Sequence, residues 1–366
     1  MKVKIGDLTK IRTGKLDANA SSEDGQYPFF TCSRETLKIS TYSYDCECVL
    51  VAGNGDLNVK YYNGKFDAYQ RTYIIEDNGS GKLFMPYLYY FMEGYIEELR
   101  KQAIGGVIKY IKLGNLTDAL IELPSVDEQK TIVDILEKSK KVLDMRHEEI
   151  SKLDDLIKAR FVEMFGNPET NSKGWTECAL SEKLNVVGGY AFKSDKFDEI
   201  SGIPVLRIGN INSGFFRPVN LVYWKEDENL ERYTMYPGDL VMSLTGTVGK
   251  DDYGNVCILG DDYEMYYLNQ RNAKLEIKEG IDKYYLSQLL KFEQIKKRLT
   301  GISRGVRQAN ISNKDILNLV VPVPPMELQE QFAGFVKQVD KLKVAVQKAL
   351  DETQLLFDSL MQKYFG

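Results

Sequence analysis

Two segments of this 366-residue chain gather the side chains that bind phosphate and read base edges. Residues 296–307, Lys-Lys-Arg-Leu-Thr-Gly-Ile-Ser-Arg-Gly-Val-Arg, hold five cations (Lys296, Lys297, Arg298, Arg304 and Arg307) and no acid, with Gln308 and Asn310 following. Residues 100–112, Arg-Lys-Gln-Ala-Ile-Gly-Gly-Val-Ile-Lys-Tyr-Ile-Lys, hold four (Arg100, Lys101, Lys109 and Lys112), with Gln102 among them and again no acid. Glycine lets a backbone approach phosphate, cations neutralise it, and Arg and Gln make paired hydrogen bonds to guanine and adenine edges. Arg71, in Tyr69-Gln70-Arg71, and Arg271, in Asn269-Gln270-Arg271, join these candidates, as does Lys250 after Gly249. Solvated basic helix ends would carry similar charge, because cations favour helix C-termini. Recurrence at matching places in two otherwise divergent halves favours DNA contact.

Other chemistry finds little support. The single histidine, His147, lies in a charged helical stretch, so Ser-His or Cys-His catalysis would rest on one residue. Gly246-Thr-Val-Gly249-Lys250 lacks the glycine spacing of a phosphate loop, and Asp251 stands where Ser or Thr should hold magnesium. No Gly-x-Gly-x-x-Gly follows a strand, and no Asn-Pro-Pro-aromatic loop of an amino-methyltransferase is present; Asn167-Pro168-Glu169 reads as a helix stop. Glu276-Ile-Lys278 with Asp261 or Asp262 resembles the acidic-plus-lysine set of nucleases, a set that arises often by chance. Cys46-Glu47-Cys48 with Cys32 offers three thiols but no fourth ligand, so reduced cysteines are expected rather than zinc or any other metal.

The elements that must position the basic segments form a tandem repeat. Gln129–Gly166 and Gln329–Gly366 each run 38 residues without a gap, at an offset of 200, and share Gln, Lys, Leu, Phe and Gly at Gln129/Gln329, Lys141/Lys341, Leu156/Leu356, Phe165/Phe365 and Gly166/Gly366. The Gln-Arg pairs recur at the same offset, and Gly106-Val107 echoes Gly305-Val306. Proline starts each long helix (Pro124-Ser-Val-Asp-Glu-Gln and Pro324-Pro-Met-Glu-Leu-Gln), with acids in the first turn to complement the helix dipole. Gly166 with Pro168 ends the first.

Inside these helices the apolar residues follow a seven-residue repeat, which reads as a coiled-coil seam. Leu136, Leu143, Ile150 and Ile157 form one row with Leu153 beside it; Phe335, Leu342, Ala349 and Leu356 alternate with Val339, Val346, Thr353 and Leu360. Two such helices most simply pack on each other, and the sequence between them permits either direction. The alternative is an amphipathic helix on each domain. Elsewhere, strand-like runs (48–52, 71–75, 203–208, 239–244 and 272–277) and helical stretches near 84–102 and 282–299 predict mixed units without the strand-helix alternation of a nucleotide-binding sheet.

Composition fits this plan. The chain is 43% hydrophobic and 28% charged, with a mean hydropathy of −0.33, and it holds no apolar run near the ~18 residues of a membrane span. The start, Met1-Lys-Val-Lys-Ile-Gly-Asp, does not read as a signal peptide, so a cytoplasmic protein without membrane partners is expected. A net charge of −5 is unusual for an isolated duplex binder but suits one that meets DNA inside a larger complex.

With its two proline-led helix starts ending in Gln129 and Gln329, its alternation of unit and helix, and the tail Leu355-Leu-Phe-Asp-Ser-Leu-Met-Gln-Lys-Tyr-Phe-Gly366, the chain resembles the specificity subunit of type I restriction-modification enzymes. That resemblance implies an α+β chain: target-recognition domains at 1–124 and 167–323, and spacer helices at 125–166 and 324–366 packed as an antiparallel coiled coil. It further implies that the chain is not an enzyme and binds no cofactor. Each domain would read one half of a split sequence on double-stranded DNA. Two modification subunits would bring S-adenosylmethionine and methylate adenine, and restriction (motor) subunits would join for cleavage. About 38 helical residues at ~1.5 Å each would span ~55 Å, so the two blocks should keep a constant gap. A magnesium-dependent nuclease and a coiled-coil scaffold without DNA are the alternatives.

Overall fold

A computed structural model describes residues 2–212, 214–247, 250, 252–301 and 308–366, with the Gln308 side chain left aside. It comprises two compact units, one holding the chain up to Glu149 together with Val346–Gly366, the other Ile150–Ala345.

The first unit contains β1 (Lys2–Lys4), β2 (Thr9–Thr13), β3 (Tyr27–Phe30), β4 (Leu37–Ile39), β5 (Tyr44–Ala52), β6 (Val59–Ala68), β7 (Thr72–Asp77), α1 (Met85–Gln102), α2 (Leu113–Thr117) and β8 (Leu120–Glu122). Six strands form one sheet in the order β2-β7-β5-β6-β3-β4, antiparallel except for the β3–β6 pair. Strand β5 is hydrophobic on both faces through Cys48–Ala52, as a central strand must be, and α1 covers the sheet with Tyr87, Leu88, Phe91, Met92 and Leu99. Strand β1 pairs with β8, so the start of the unit is bonded to the strand that leads into the first long helix, α3 (Val126–Phe165).

The second unit repeats the scheme with β9 (Glu177–Ala179), β10 (Leu184–Gly188), β11 (Ile203–Leu206), β12 (Tyr223–Trp224), β13 (Thr234–Met235), β14 (Leu240–Ser243), β15 (Thr245–Thr247), β16 (Val256–Ile258), β17 (Tyr266–Leu268), β18 (Asn272–Ile277), α4 (Lys283–Lys291), α5 (Glu293–Thr300), β19 (Gln308–Asn310), α6 (Asn313–Leu317), β20 (Val320–Pro322) and α7 (Met326–Phe365). Strand β10 pairs with β18 as β2 does with β7, β11 runs parallel to β17 as β3 does to β6, and β9 pairs with β20 as β1 does with β8. The expected helix over 282–299 is interrupted at Phe292, whose extended backbone (ψ 129°) separates α4 from α5.

Both long helices, of 40 residues each, are present. Ser125 and Glu128 form a capping box at the start of α3, and the hydrogen bonds from Ser125 hold the Glu128 carboxyl below the usual carboxylate range. Gly166, at φ 80°, ends α3, and Lys173 caps its last carbonyls, donating to Glu163 O (2.7 Å) and Met164 O (3.0 Å). The helices run antiparallel. In the first unit Val133 and Leu136 of α3 share a core with Phe357, Leu360, Met361 and Phe365 of α7; in the second, Phe161 and Phe165 pack on Phe332 with ring centroids 5.5 and 5.4 Å apart.

The expected seam needs one correction. Leu136, Leu143, Ile157 and Val339 are buried, and Ile150, Leu153, Phe335, Val346 and Leu360 are half-buried, but Leu342 and Leu356 are 57% and 54% exposed. The inward row of α7 lies one residue later, at Val336, Lys343, Leu350 and Phe357. Apolar counting misses it because Lys343 interrupts it: its stem is covered while its ammonium meets Asp154 of α3 at 2.6 Å.

Candidate nucleic-acid interface

Four residues build the same tight turn in both units. In the first, Thr72 N donates to Tyr69 O (2.8 Å); in the second, Asn272 N donates to Asn269 O (2.9 Å). The chain after β2 or β10 crosses against each turn: Gln70 N donates to Leu16 O and Gln270 N to Tyr190 O, both at 2.9 Å. Glycine is required at these crossings, since a Cβ on Gly14 would lie 2.2 Å from Ala68 O and one on Gly189 2.1 Å from Asn269 O. The fourth turn residue is buried and polar. Thr72 Oγ1 donates to Phe30 O (3.2 Å) and Asn272 Nδ2 to Leu206 O (2.7 Å), the last residues of β3 and β11. Each turn is thereby fixed to its sheet, while Gln70, Arg71, Gln270 and Arg271 are exposed.

A second shared device ties each turn to the residue 40 positions on, Ile111 within the first basic segment and Ile311 just after the second. Gly53 N donates to Arg71 O (2.8 Å) and Ile111 N to Gly53 O (2.9 Å); Leu244 N donates to Arg271 O (2.8 Å) and Ile311 N to Leu244 O (2.8 Å). In the first unit the segment is a hairpin closed by reciprocal bonds between Ile104 and Tyr110 (3.0 and 2.9 Å) and braced by Gly55 N on Lys109 O (3.0 Å). Its tip holds Val107 and Ile108, 104% and 62% exposed. In the second unit the segment leads into β19, which pairs with β15. Residues 40 or so apart in sequence therefore share one edge in each unit.

The remaining candidates divide by what they touch. Arg100 donates to Asp56 Oδ1 (3.0 Å) and Leu57 O (3.1 Å) and pairs with Glu97. Arg34 and Arg100 together hold the Asp56 carboxyl below its usual range. Lys101 pairs with Glu98 (3.4 Å) and Lys297 with Glu293 (2.5 Å). Gln102 bonds Glu98, Tyr95 and Asn115. Lys296 is buried, with Nζ 2.6 Å from Asn255 Oδ1. These side chains have protein partners: an acid four residues or fewer away, or a distant loop, meets them. Among the described residues Arg71, Lys109, Lys112, Arg271 and Arg298 are exposed and enter no ion pair. Lys250 is exposed after a turn closed on Thr247 O. Arg304 and Arg307 lie outside the described residues, as does the Gln308 side chain.

Sequence reasoning had passed over Gln70 and Gln270, the buried anchors Thr72 and Asn272, and the exposed tip Val107-Ile108. The first four had a signal: the repeated Gln-Arg pair continues into a polar residue in both copies. The tip had none, because an apolar pair in a basic segment reads equally well as core.

Among the described residues the other chemistries gain no geometry. Gly246 lies in strand β15. Glu276 sits opposite Asn185 in the β10–β18 ladder, and Lys278 Nζ donates to Ser181 O (3.0 Å). Among the described residues no three His, Cys, Asp or Glu side chains converge as a metal site. Burial raises the Cys46 thiol and pushes the Cys48 thiol far above its usual range, against thiolate chemistry. No helix among the described residues is long and apolar enough to cross a membrane.

The sequence matches the family described as "Type I restriction modification DNA specificity domain" over residues 1–154 and 172–353. The chain belongs to that family. It is 26% identical to the type I restriction enzyme EcoDI specificity subunit of Escherichia coli, over 99% of this chain and 87% of the relative. It is also 26% identical to the MjaVIII specificity subunit of Methanocaldococcus jannaschii, over 93% and 86%. The fold matches the S subunit of the type I restriction-modification system from M. genitalium with a TM-score of 0.62 at 18% identity, covering all of this chain and 96% of that one.

Proposed function

We propose that this family member is the non-catalytic, DNA-reading component of a type I restriction-modification complex, with one block of a bipartite duplex target read by each unit. The observation that carries this is the repeated edge: in both units the same two-step backbone ladder joins an exposed Gln-Arg turn to the residue 40 positions on, Ile111 within the first basic segment and Ile311 just after the second. Two modification subunits bring S-adenosylmethionine and methylate adenine, restriction subunits join for cleavage, and the complex works in the cytoplasm beside the chromosome. Support for protein partners comes from apolar residues left in solvent on the long helices, Met145 on α3 and Leu355 and Leu356 on α7 among them. A net charge of −5 fits a reader whose partners supply further phosphate-neutralising surface.

The test replaces residues 167–323 with the corresponding segment of a relative and sequences the methylated genome of cells that carry the hybrid with its partner subunits. One block should change and the other stay. Change in both blocks would show that the units are not separate readers. Absence of salt-dependent duplex binding by the assembled complex would favour a scaffold without a DNA role.

A further inference from the structure

Arg71 and Arg271 occupy equivalent corners of equivalent turns, while the stretches of sequence that precede Ile111 and Ile311, the residues bonded to Gly53 and Leu244, differ. The first reads Ile104-Gly-Gly-Val-Ile-Lys-Tyr110 and the second Ile302-Ser-Arg-Gly-Val-Arg-Gln308. We infer that the two arginine turns are sequence-independent clamps on the DNA phosphates, one in each unit, and that base choice resides in parts of the units that differ in sequence. The inference rests on the proposed function and refines it by sorting positioning residues from reading residues.

The argument starts from what two unlike readers hold in common. The feature shared by every stretch of duplex is its sugar-phosphate backbone, so a side chain kept at one position in both units suits phosphate, whereas base edges call for residues that differ. The mounting agrees. Each turn is bonded to the chain that crosses it, to Gly53 or Leu244, and through buried Thr72 or Asn272 to the end of a sheet strand. A guanidinium on such a base loses little backbone freedom when it binds. Neither arginine enters an ion pair among the described residues, so none of their carboxylates must be displaced first. In the first unit Lys109 is bonded through its carbonyl to Gly55, two residues from Gly53, which places a second unpaired cation on the same edge.

The experiment uses the chain assembled with its methyltransferase partners. Fluorescence anisotropy measures affinity for a duplex carrying the target and for a scrambled duplex, from ~50 to ~200 mM salt. Arg71→Ala should weaken both duplexes by the same factor, about fivefold at ~0.15 M salt, and reduce the slope of log affinity on log salt by ~0.9, the contribution of one phosphate. Arg71→Lys should recover most of that loss, since an ammonium serves phosphate as a point charge but cannot reproduce the planar fork that reads guanine. Methylation sequencing should return an unchanged target for both variants, and Arg271→Ala should behave alike. Loss confined to the target duplex, a changed base in either methylated block, or an unchanged salt slope would each overturn the clamp. Failure of the unmodified assembly to bind either duplex would instead overturn the function proposed above, and the inference with it.

Discussion

Gln129 and Gln329 are both fully buried at the start of the long helices, and each latches its helix to the beginning of a helix that follows the sheet. Gln129 Oε1 accepts from Phe84 N (2.8 Å), the residue capping α1, while its Nε2 donates to Lys82 O (2.8 Å) and Pro124 O (3.0 Å). Gln329 Oε1 accepts from Asp282 N (2.8 Å), the residue capping α4, and its Nε2 donates to Pro324 O (2.7 Å). Methionine keeps the volume and removes every bond. At about 1 kcal/mol for each hydrogen bond lost, Gln129→Met should destabilise by about 3 kcal/mol and Gln329→Met by about 2. For units of this size 1 kcal/mol moves a melting midpoint by roughly 2–4 °C, giving falls of roughly 6–12 and 4–8 °C. Differential scanning calorimetry reads both. Gln129→Glu separates acceptor from donor: a carboxylate still takes the Phe84 N–H but faces two carbonyl oxygens with no proton to give. At neutral pH it should melt below the methionine variant and recover as acid restores a proton. A fall under about 1 °C for both methionine variants, or a glutamate variant as stable as the parent, would refute the latch.

Three further outcomes follow from the same geometry. Asp340 is half-buried, and burial raises its carboxyl above the ordinary 3.8 despite Lys343 and Lys291 nearby. Its folded form thus favours the proton; that stability is present at acid pH and lost as pH rises through the raised value, so Asp340→Asn should melt above the parent at pH ~7 and lose its advantage below the ordinary Asp range. Replacing Lys343 with Leu should stay within about 1 kcal/mol of the parent in thermal melts, because an apolar residue suits the inward row, whereas Lys343→Glu against Asp154 should melt several degrees lower. Val107→Ser with Ile108→Ser should leave the melt unchanged, given their exposure, yet narrow the affinity gap between target and scrambled duplex about tenfold, a typical value for one specific contact; equal affinity losses on both duplexes would refute a reading role for the tip.

Much of the architecture was legible because it depends on local rules. Proline, a capping box and first-turn acids set where α3 begins, Gly166 sets where it stops, and uninterrupted apolar stretches such as Cys48–Ala52 mark central strands. The 200-residue echo announced two like units, and the Gln-Arg pairs within it pointed at the turns. Periodicity failed where a residue's chemistry hid its place: Lys343 lies inward with its charge led out to Asp154, so the row containing Leu342 and Leu356 looked like the seam. Charge counting does not show partners. Lys296 and Arg100, candidates for DNA contact by charge, also meet Asn255, Asp56 and Glu97.

By itself, then, the amino-acid order determined the repeat, through its echo at an offset of 200, and the ends of α3 and the strand cores, which follow from neighbours a few residues apart. Tertiary structure decided the direction of the paired helices, which periodicity left open and the family resemblance implied, which cations enter no ion pair among the described residues, and the meeting of Arg71 with Ile111, beside the hairpin at 104–110, through Gly53. Those outcomes depend on pairings between residues far apart in the chain, and no local pattern encodes them.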